Sequence, residues 1–134
     1  MANAKVTWTS SHTFIGEDST KHSVVMSSKE DGIGMKASEL LLVALGGCSS
    51  YDVVSILEKR KKNLRKLQVA LTAEQDEEAP WTFRKIHMVY TASGDGLEAK
   101  DLEKAIELSE GKYCSVAATL RGEAEITWEH ILEE

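Results

Sequence analysis

Cysteine is scarce in this chain: Cys48 and Cys114, 66 positions apart (114 − 48), are the only two in 134 residues. Two distant cysteines make no disulfide framework for a small secreted domain, so both are expected as resting thiols in a reducing compartment, and any bond between them as transient. No apolar run is expected to reach the length that spans a bilayer, and the opening MANAKVTWTSSHTF lacks the charged-then-apolar layout of a secretory signal. The expectation is a soluble, cytoplasmic protein with no membrane partner. An excess of basic charge is lacking too: 16 Lys and Arg against 22 Asp and Glu give a net charge of −6. Apart from Lys59-Arg60-Lys61-Lys62 the cations are dispersed among carboxylates, which excludes nucleic acid as a partner. The four histidines, His12, His22, His87 and His130, show no metal-ligand spacing, and neither cysteine belongs to a CxxC pair. No metal is expected. Glycines at 32 and 34 are too few for a phosphate loop. Internal repeats and low-complexity tracts are absent.

What is present reads as one domain, residues 1–134, long enough to bury a hydrophobic core. Three short runs rich in β-branched and aromatic residues, around Val6-Thr7-Trp8, Phe14-Ile15 and Val24-Val25, predict an antiparallel meander. After the loop KEDGIGMK, Ser38 offers an N-cap and Glu39 a first-turn negative charge, opening a helix that runs to about Asn63. The basic run then complements the dipole at the helix C-terminus. Leu67, Val69 and Leu71 alternate with polar residues as in a strand with one buried face. In TFRKIHMVYTASG, Ile86, Met88 and Tyr90 share one face while Phe83, Lys85, His87, Val89 and Thr91 share the other. The link EEAPW, with the only proline, Pro80, suits a turn between these strands. Leu102, Ala105, Ile106 and Leu108 have helical spacing, Gly111 is placed to end that helix, and a short helix over about 115–120 comes next. A last strand alternates through Ala124, Ile126, Trp128 and His130. Strands at both ends and in the middle, with helices between, predict an α+β fold with antiparallel sheet packed on or around the helices.

The stretch LLLVALGGCSSYDVVSIL decides most. A helix apolar all round has to be covered on every side, and one sheet covers one side, which favours a homodimer burying the helix between two chains. Gly46-Gly47 in its middle costs about 1 kcal/mol per residue relative to alanine. A close backbone contact, a local break in the helix, or the approach of a small substrate would each require them. Cys48 in an apolar run is ordinarily inert filler, yet Ser49-Ser50 behind it are polar neighbours that filler does not need. Backbone N–H groups exposed by a loosened turn would favour its thiolate, whereas Asp52, four residues on, would oppose it. The local sequence leaves both readings open. Asp52 is taken as an interhelical hydrogen-bonding residue.

SELLLVALGGCSSYDVVSIL together with EGKYCSVAATL resembles the OsmC/Ohr family of thiol-dependent peroxidases, in its OsmC-like branch. Cysteine spacing, element order and length fit over nearly the whole chain. The resemblance implies antiparallel sheets wrapping a long central helix and a second helix in an intertwined homodimer, with active sites at the subunit interface. It implies that Cys48 is the reactive cysteine and Cys114 the resolving one, that organic hydroperoxides are the substrates, that an external thiol is the reductant, and that no metal or prosthetic group takes part. Apolar lining by Leu45, Tyr51 and Val116 would suit such substrates.

The family's peroxidases also place an arginine from the N-terminal hairpin beside the reactive cysteine, paired with a glutamate at the start of the long helix. Residues 1–59 contain no arginine; Lys21 is the nearest cation in a comparable hairpin, without the planar fork of a guanidinium. The family's glutamate falls where this chain has Ser38, so Glu39 takes that role only if the helix start is shifted. Nine positions before Cys48, Glu39 lies on the opposite side of a regular helix and about 13.5 Å along its axis, which excludes direct contact within one unbroken helix. The alternative to a peroxidase is a non-enzymatic redox-sensing or small-ligand-binding dimer.

Overall fold

The structure, a computed structural model, describes residues 1–134 and divides into two compact units, Met1–Val43 and Ala44–Glu134. In the first, β1 (Ala4–Ser10), β2 (Thr13–Asp18) and β3 (Ser23–Met26) form the expected antiparallel meander. Its turns are closed by carboxylates. Asp31 Oδ2 accepts from the His12 N–H at 2.8 Å, and Asp18 Oδ1 accepts from Thr20 N–H at 2.9 Å and from the Thr20 hydroxyl at 2.6 Å. Between β3 and the helix, the Met35 N–H donates to Val25 O, and a Cβ at Gly34 would stand 2.7 Å from that same oxygen, so only glycine fits.

Helix α1 (Ala37–Lys59) is continuous for 23 residues, unbroken at Gly46-Gly47. It begins earlier than Ser38, because the Lys36 carbonyl already accepts from the Leu40 N–H; Ser38 thus lies inside the first turn. It also stops short of Asn63. Lys61 takes a left-handed conformation (φ 58°), the Lys62 N–H reaches Leu57 O and the Lys61 N–H reaches Glu58 O, a Schellman closure made without glycine. By length and composition α1 is apolar enough to cross a bilayer, which corrects the reading that no stretch comes near. Its stripe Leu45, Ser49, Val53 and Leu57, at i, i+4 spacing, is nevertheless buried within the protein, while Val43 and Tyr51 are exposed.

In the second unit β4 (Asn63–Gln75) and β5 (Phe83–Asp95) form the predicted hairpin, and β6 (Glu125–Glu133) completes a sheet of order β4-β5-β6. The two faces of β5 divide as the alternation requires. Ile86, Met88, Tyr90 and Ala92 are buried, whereas His87 faces the other way, bonded to Thr127 Oγ1 and Glu129 Oε2 at 2.7 Å each. The all-antiparallel expectation fails at one edge: β6 runs parallel to β5. A parallel neighbour needs a crossover, here α2 (Ala99–Leu108), a five-residue π turn (Ser109–Tyr113) and α3 (Ser115–Leu120). Helix α2 opens with a capping box between Glu98 and Asp101, and the Asp101 carboxylate also meets Lys62 Nζ at 3.4 Å. Leu102, Ala105 and Ile106 are its buried apolar stripe.

Candidate active site

Cys48 lies mid-way along α1, one residue beyond the glycine pair. A Cβ at Gly46 would stand 2.8 Å from Leu71 Cδ1 of β4, so this glycine admits a close helix–strand contact. Gly47 has nothing within 4 Å of where its Cβ would be. The expectation of a close approach thus holds for the first glycine, and the second meets no atom of this chain.

Cys114 arrives from the crossover. α2 does not end at Gly111; the winding loosens so that the Cys114 N–H donates to Ser109 O, five residues back, at 2.8 Å. Such a π turn adds a residue to the winding and re-aims the chain beyond it. Cys114 then leaves helical geometry (φ −78°, ψ 106°) and caps α3, its Sγ accepting from the Ala117 N–H at 3.3 Å. The result brings together what the sequence separates: Cys48 Sγ, Cys114 Sγ and an Asp52 carboxylate oxygen all lie within 4.8 Å of one another.

The two thiols are not equivalent. Burial works against ionisation of Cys48, but the Val116 backbone N–H, the Cys114 thiol, and the hydroxyl and backbone N–H of Ser115 outweigh it and hold Cys48 below the ordinary thiol range. The first-turn N–H groups of α3 are donors that the helix itself leaves unused. Cys114 is almost wholly buried, and burial first, then the facing Cys48 and Glu110, push its thiol up to about 12. One sulfur is therefore disposed to be a thiolate and its neighbour to keep its proton.

A buried polar chain runs beneath the sulfurs. Ser109 Oγ, fully buried, lies 2.9 Å from Asp52 Oδ2 and 3.0 Å from Ser49 Oγ; Ser49 Oγ lies 2.5 Å from the Tyr90 hydroxyl, which in turn donates to Glu110 Oε1 at 3.1 Å. Burial raises the Glu110 carboxyl above its usual range despite hydrogen bonds from Tyr90 and Ser49, and burial likewise keeps Tyr90 a phenol. The Arg121 guanidinium donates to the Glu110 carbonyl. Asp52 is the interhelical hydrogen-bonding residue expected of it. In the sequence Ser49 stands out only as a polar neighbour, and Ser109, Glu110, Tyr90 and Ser115 carry no signal beyond lying near Cys114 or on the buried face of β5.

Other expected participants have other partners. Glu39, exposed in the first turn of α1, pairs with Lys36 Nζ at 3.2 Å. Lys21 pairs with Glu17 at 3.9 Å. Leu45 is fully buried, whereas Tyr51 walls an open hollow of about 520 Å³ with Asp52, Ile56, Leu108, Tyr113 and the cations Lys59 and Arg60.

A family model described as OsmC-like protein matches residues 29–129, three quarters of the chain and both sulfurs. The chain belongs to the OsmC-like family. Protein YhfA of Escherichia coli K12 is 38% identical over 124 residues, 92% of each chain. The solved structure of a hypothetical protein from Aquifex aeolicus superposes with a TM-score of 0.84 at 32% identity, over 100% of this chain and 98% of that one. The organic hydroperoxide resistance protein OhrB of Bacillus subtilis shares the OsmC-like fold at a TM-score of 0.65 and 10% identity, with 97% of each chain covered.

Proposed function

We propose that Cys48 and Cys114 reduce organic hydroperoxides. The observation that carries this reading is the sulfur pair itself, within 4.8 Å and unequally ionised. The Cys48 thiolate attacks the terminal peroxide oxygen; the O–O bond breaks, the departing alkoxide takes a proton from solvent and leaves as the alcohol, and Cys48 becomes a sulfenic acid. The Cys114 thiol then displaces that hydroxyl, water departs and a disulfide forms. An external thiol returns both residues to the reduced state. The protonated state of Cys114 suits the first step, since a neutral neighbour does not repel the Cys48 thiolate; in the second step Cys114 gives up that proton as it displaces the hydroxyl. The open hollow beside Asp52, walled by Tyr51, Ile56 and Leu108, gives an apolar organic group a place to lie. Membership of a family that includes hydroperoxide resistance proteins supports the same chemistry. In this reading donors from α3 replace the hairpin arginine, and Glu39 has no part in the reaction.

The working form is a homodimer, with a second copy on the exposed apolar side of α1. Cumene hydroperoxide consumption by the reduced protein, supplied with dithiothreitol, tests the activity. Cys48→Ser should abolish it. Cys114→Ser, reduced and then freed of dithiothreitol, should retain one rapid turnover and accumulate a sulfenic acid detectable by dimedone labelling. A wild type that consumes no peroxide, yet closes the disulfide with diamide, would point to a redox sensor instead.

A further inference from the structure

The Cys48–Asp52–Cys114 cluster has a second chemical capability that disulfide formation does not use. We propose that the reduced site binds one soft divalent cation of the zinc class through Cys48 Sγ, Cys114 Sγ and one carboxylate oxygen of Asp52. All three donor atoms already lie within 4.8 Å of one another. In a tetrahedral complex with metal–sulfur bonds of about 2.3 Å and metal–oxygen bonds of about 2.0–2.2 Å, the donors stand about 3.5–3.8 Å apart, so no pair has to close by more than about 1.3 Å. Cys48 and Asp52 are an i, i+4 pair on one face of α1, the spacing that lets a helix present two ligands to one ion, and Cys114 supplies the third from the crossover.

The supporting shell is in place. Ser109 Oγ holds Asp52 Oδ2 at 2.9 Å, orienting the carboxylate, and the Ala117 N–H fixes the Cys114 sulfur. Partial exposure of Cys48 provides an entry path and leaves a fourth position for water or an external thiol. Two sulfurs and one oxygen suit zinc or cadmium; magnesium and calcium, which require oxygen ligands, are excluded. Binding forms two metal–sulfur bonds, releases up to two protons to solvent and changes no oxidation state.

A cation held this way occupies both sulfurs and the Cys48 lone pair, so metal and disulfide are mutually exclusive. That exclusion rests on the Cys48–Cys114 disulfide chemistry proposed above; the binding does not. The test is titration of the full reduced chain, in a phosphine reductant, with Cd²⁺ alone. One equivalent should produce the ultraviolet thiolate-to-cadmium absorption, and Zn²⁺ should displace it. Cys48→Ser and Cys114→Ser should each lose most of the absorption. Asp52→Asn, which can still accept from Ser109 and is checked for folding by circular dichroism, should weaken binding at least about tenfold. Diamide-oxidised protein should bind none. Absence of the absorption in the reduced wild type, or an affinity unchanged in a folded Asp52→Asn, would overturn the site. Because no peroxide enters the titration, cadmium binding without hydroperoxide consumption would retire the peroxidase reading alone, and the converse would retire the metal site alone.

Discussion

Cys48 and Cys114 are the same residue type with opposite proton affinities, and the difference lies in which donors meet each sulfur. Cys48 faces N–H groups at the start of α3, while Cys114 spends its contacts on capping that helix and on facing Cys48 and Glu110. Iodoacetamide should therefore alkylate Cys48 with an ionisation midpoint below the usual thiol value of about 8.5, and leave Cys114 unmodified across the same range, as peptide mapping by mass spectrometry would show. Glu110 gives a second residue-level expectation. Its folded carboxyl holds its proton more tightly than the unfolded one, so its stabilising contribution is complete below about pH 4.3 and is lost as pH rises through the raised folded value. Glu110→Gln should remove that decline, so that the change in unfolding free energy from urea melts at pH 4 to those at pH 7 is more favourable for the variant than for the wild type. None of this is legible in the sequence around Cys48. Local sequence offers Asp52 as an opponent of the thiolate, but the donors that decide the matter come from Ser115 and Val116, far along the chain.

At the scale of elements, the glycine pair separates into two cases. Gly47→Ala meets open space within this chain and gains helix propensity, so thermal or urea unfolding should show stabilisation of up to about 1 kcal/mol. Gly46→Val presses its branches into Leu71, whose methyl stands 2.8 Å from the added Cβ, and should destabilise by about 1–3 kcal/mol. Element identity is well written in the sequence: period-two alternation finds β4 and the inward face of β5, and the short helix at Ser115–Leu120 falls where expected. The ends and partners of elements are not. Alternation in β6 states which side is apolar but not which way its neighbour runs, so the parallel pairing with β5 is invisible there. A helix closed by left-handed Lys61 rather than glycine, and a π turn passing through Gly111, both contradict the residue preferences that a sequence reading relies on.

For the whole molecule, the apolar character of α1 exceeds what its own chain covers. The stripe from Leu45 to Leu57 is buried, whereas Val43 is 51% exposed and Tyr51 74% exposed. Sedimentation equilibrium of the reduced protein should give twice the chain mass of 14.8 kDa, and Val43→Asp should shift the population to single chains without loss of helical circular dichroism. The family resemblance, carried by the two cysteine segments, makes the sulfur pair legible at this scale. A ligand cluster built from an i, i+4 pair and a residue from the crossover is not, since its spacing matches no local motif.

The parallel pairing of β5 with β6 also sets an order of events. Everything between those strands, including the π turn and Cys114, belongs to the crossover that joins them. Cys48, by contrast, sits on a helix whose buried stripe can find the β4–β5 hairpin without β6. Synthesis therefore delivers Cys48, with its helix and the β4–β5 hairpin, ahead of Cys114, and the sulfur pair can form only once the crossover has been made.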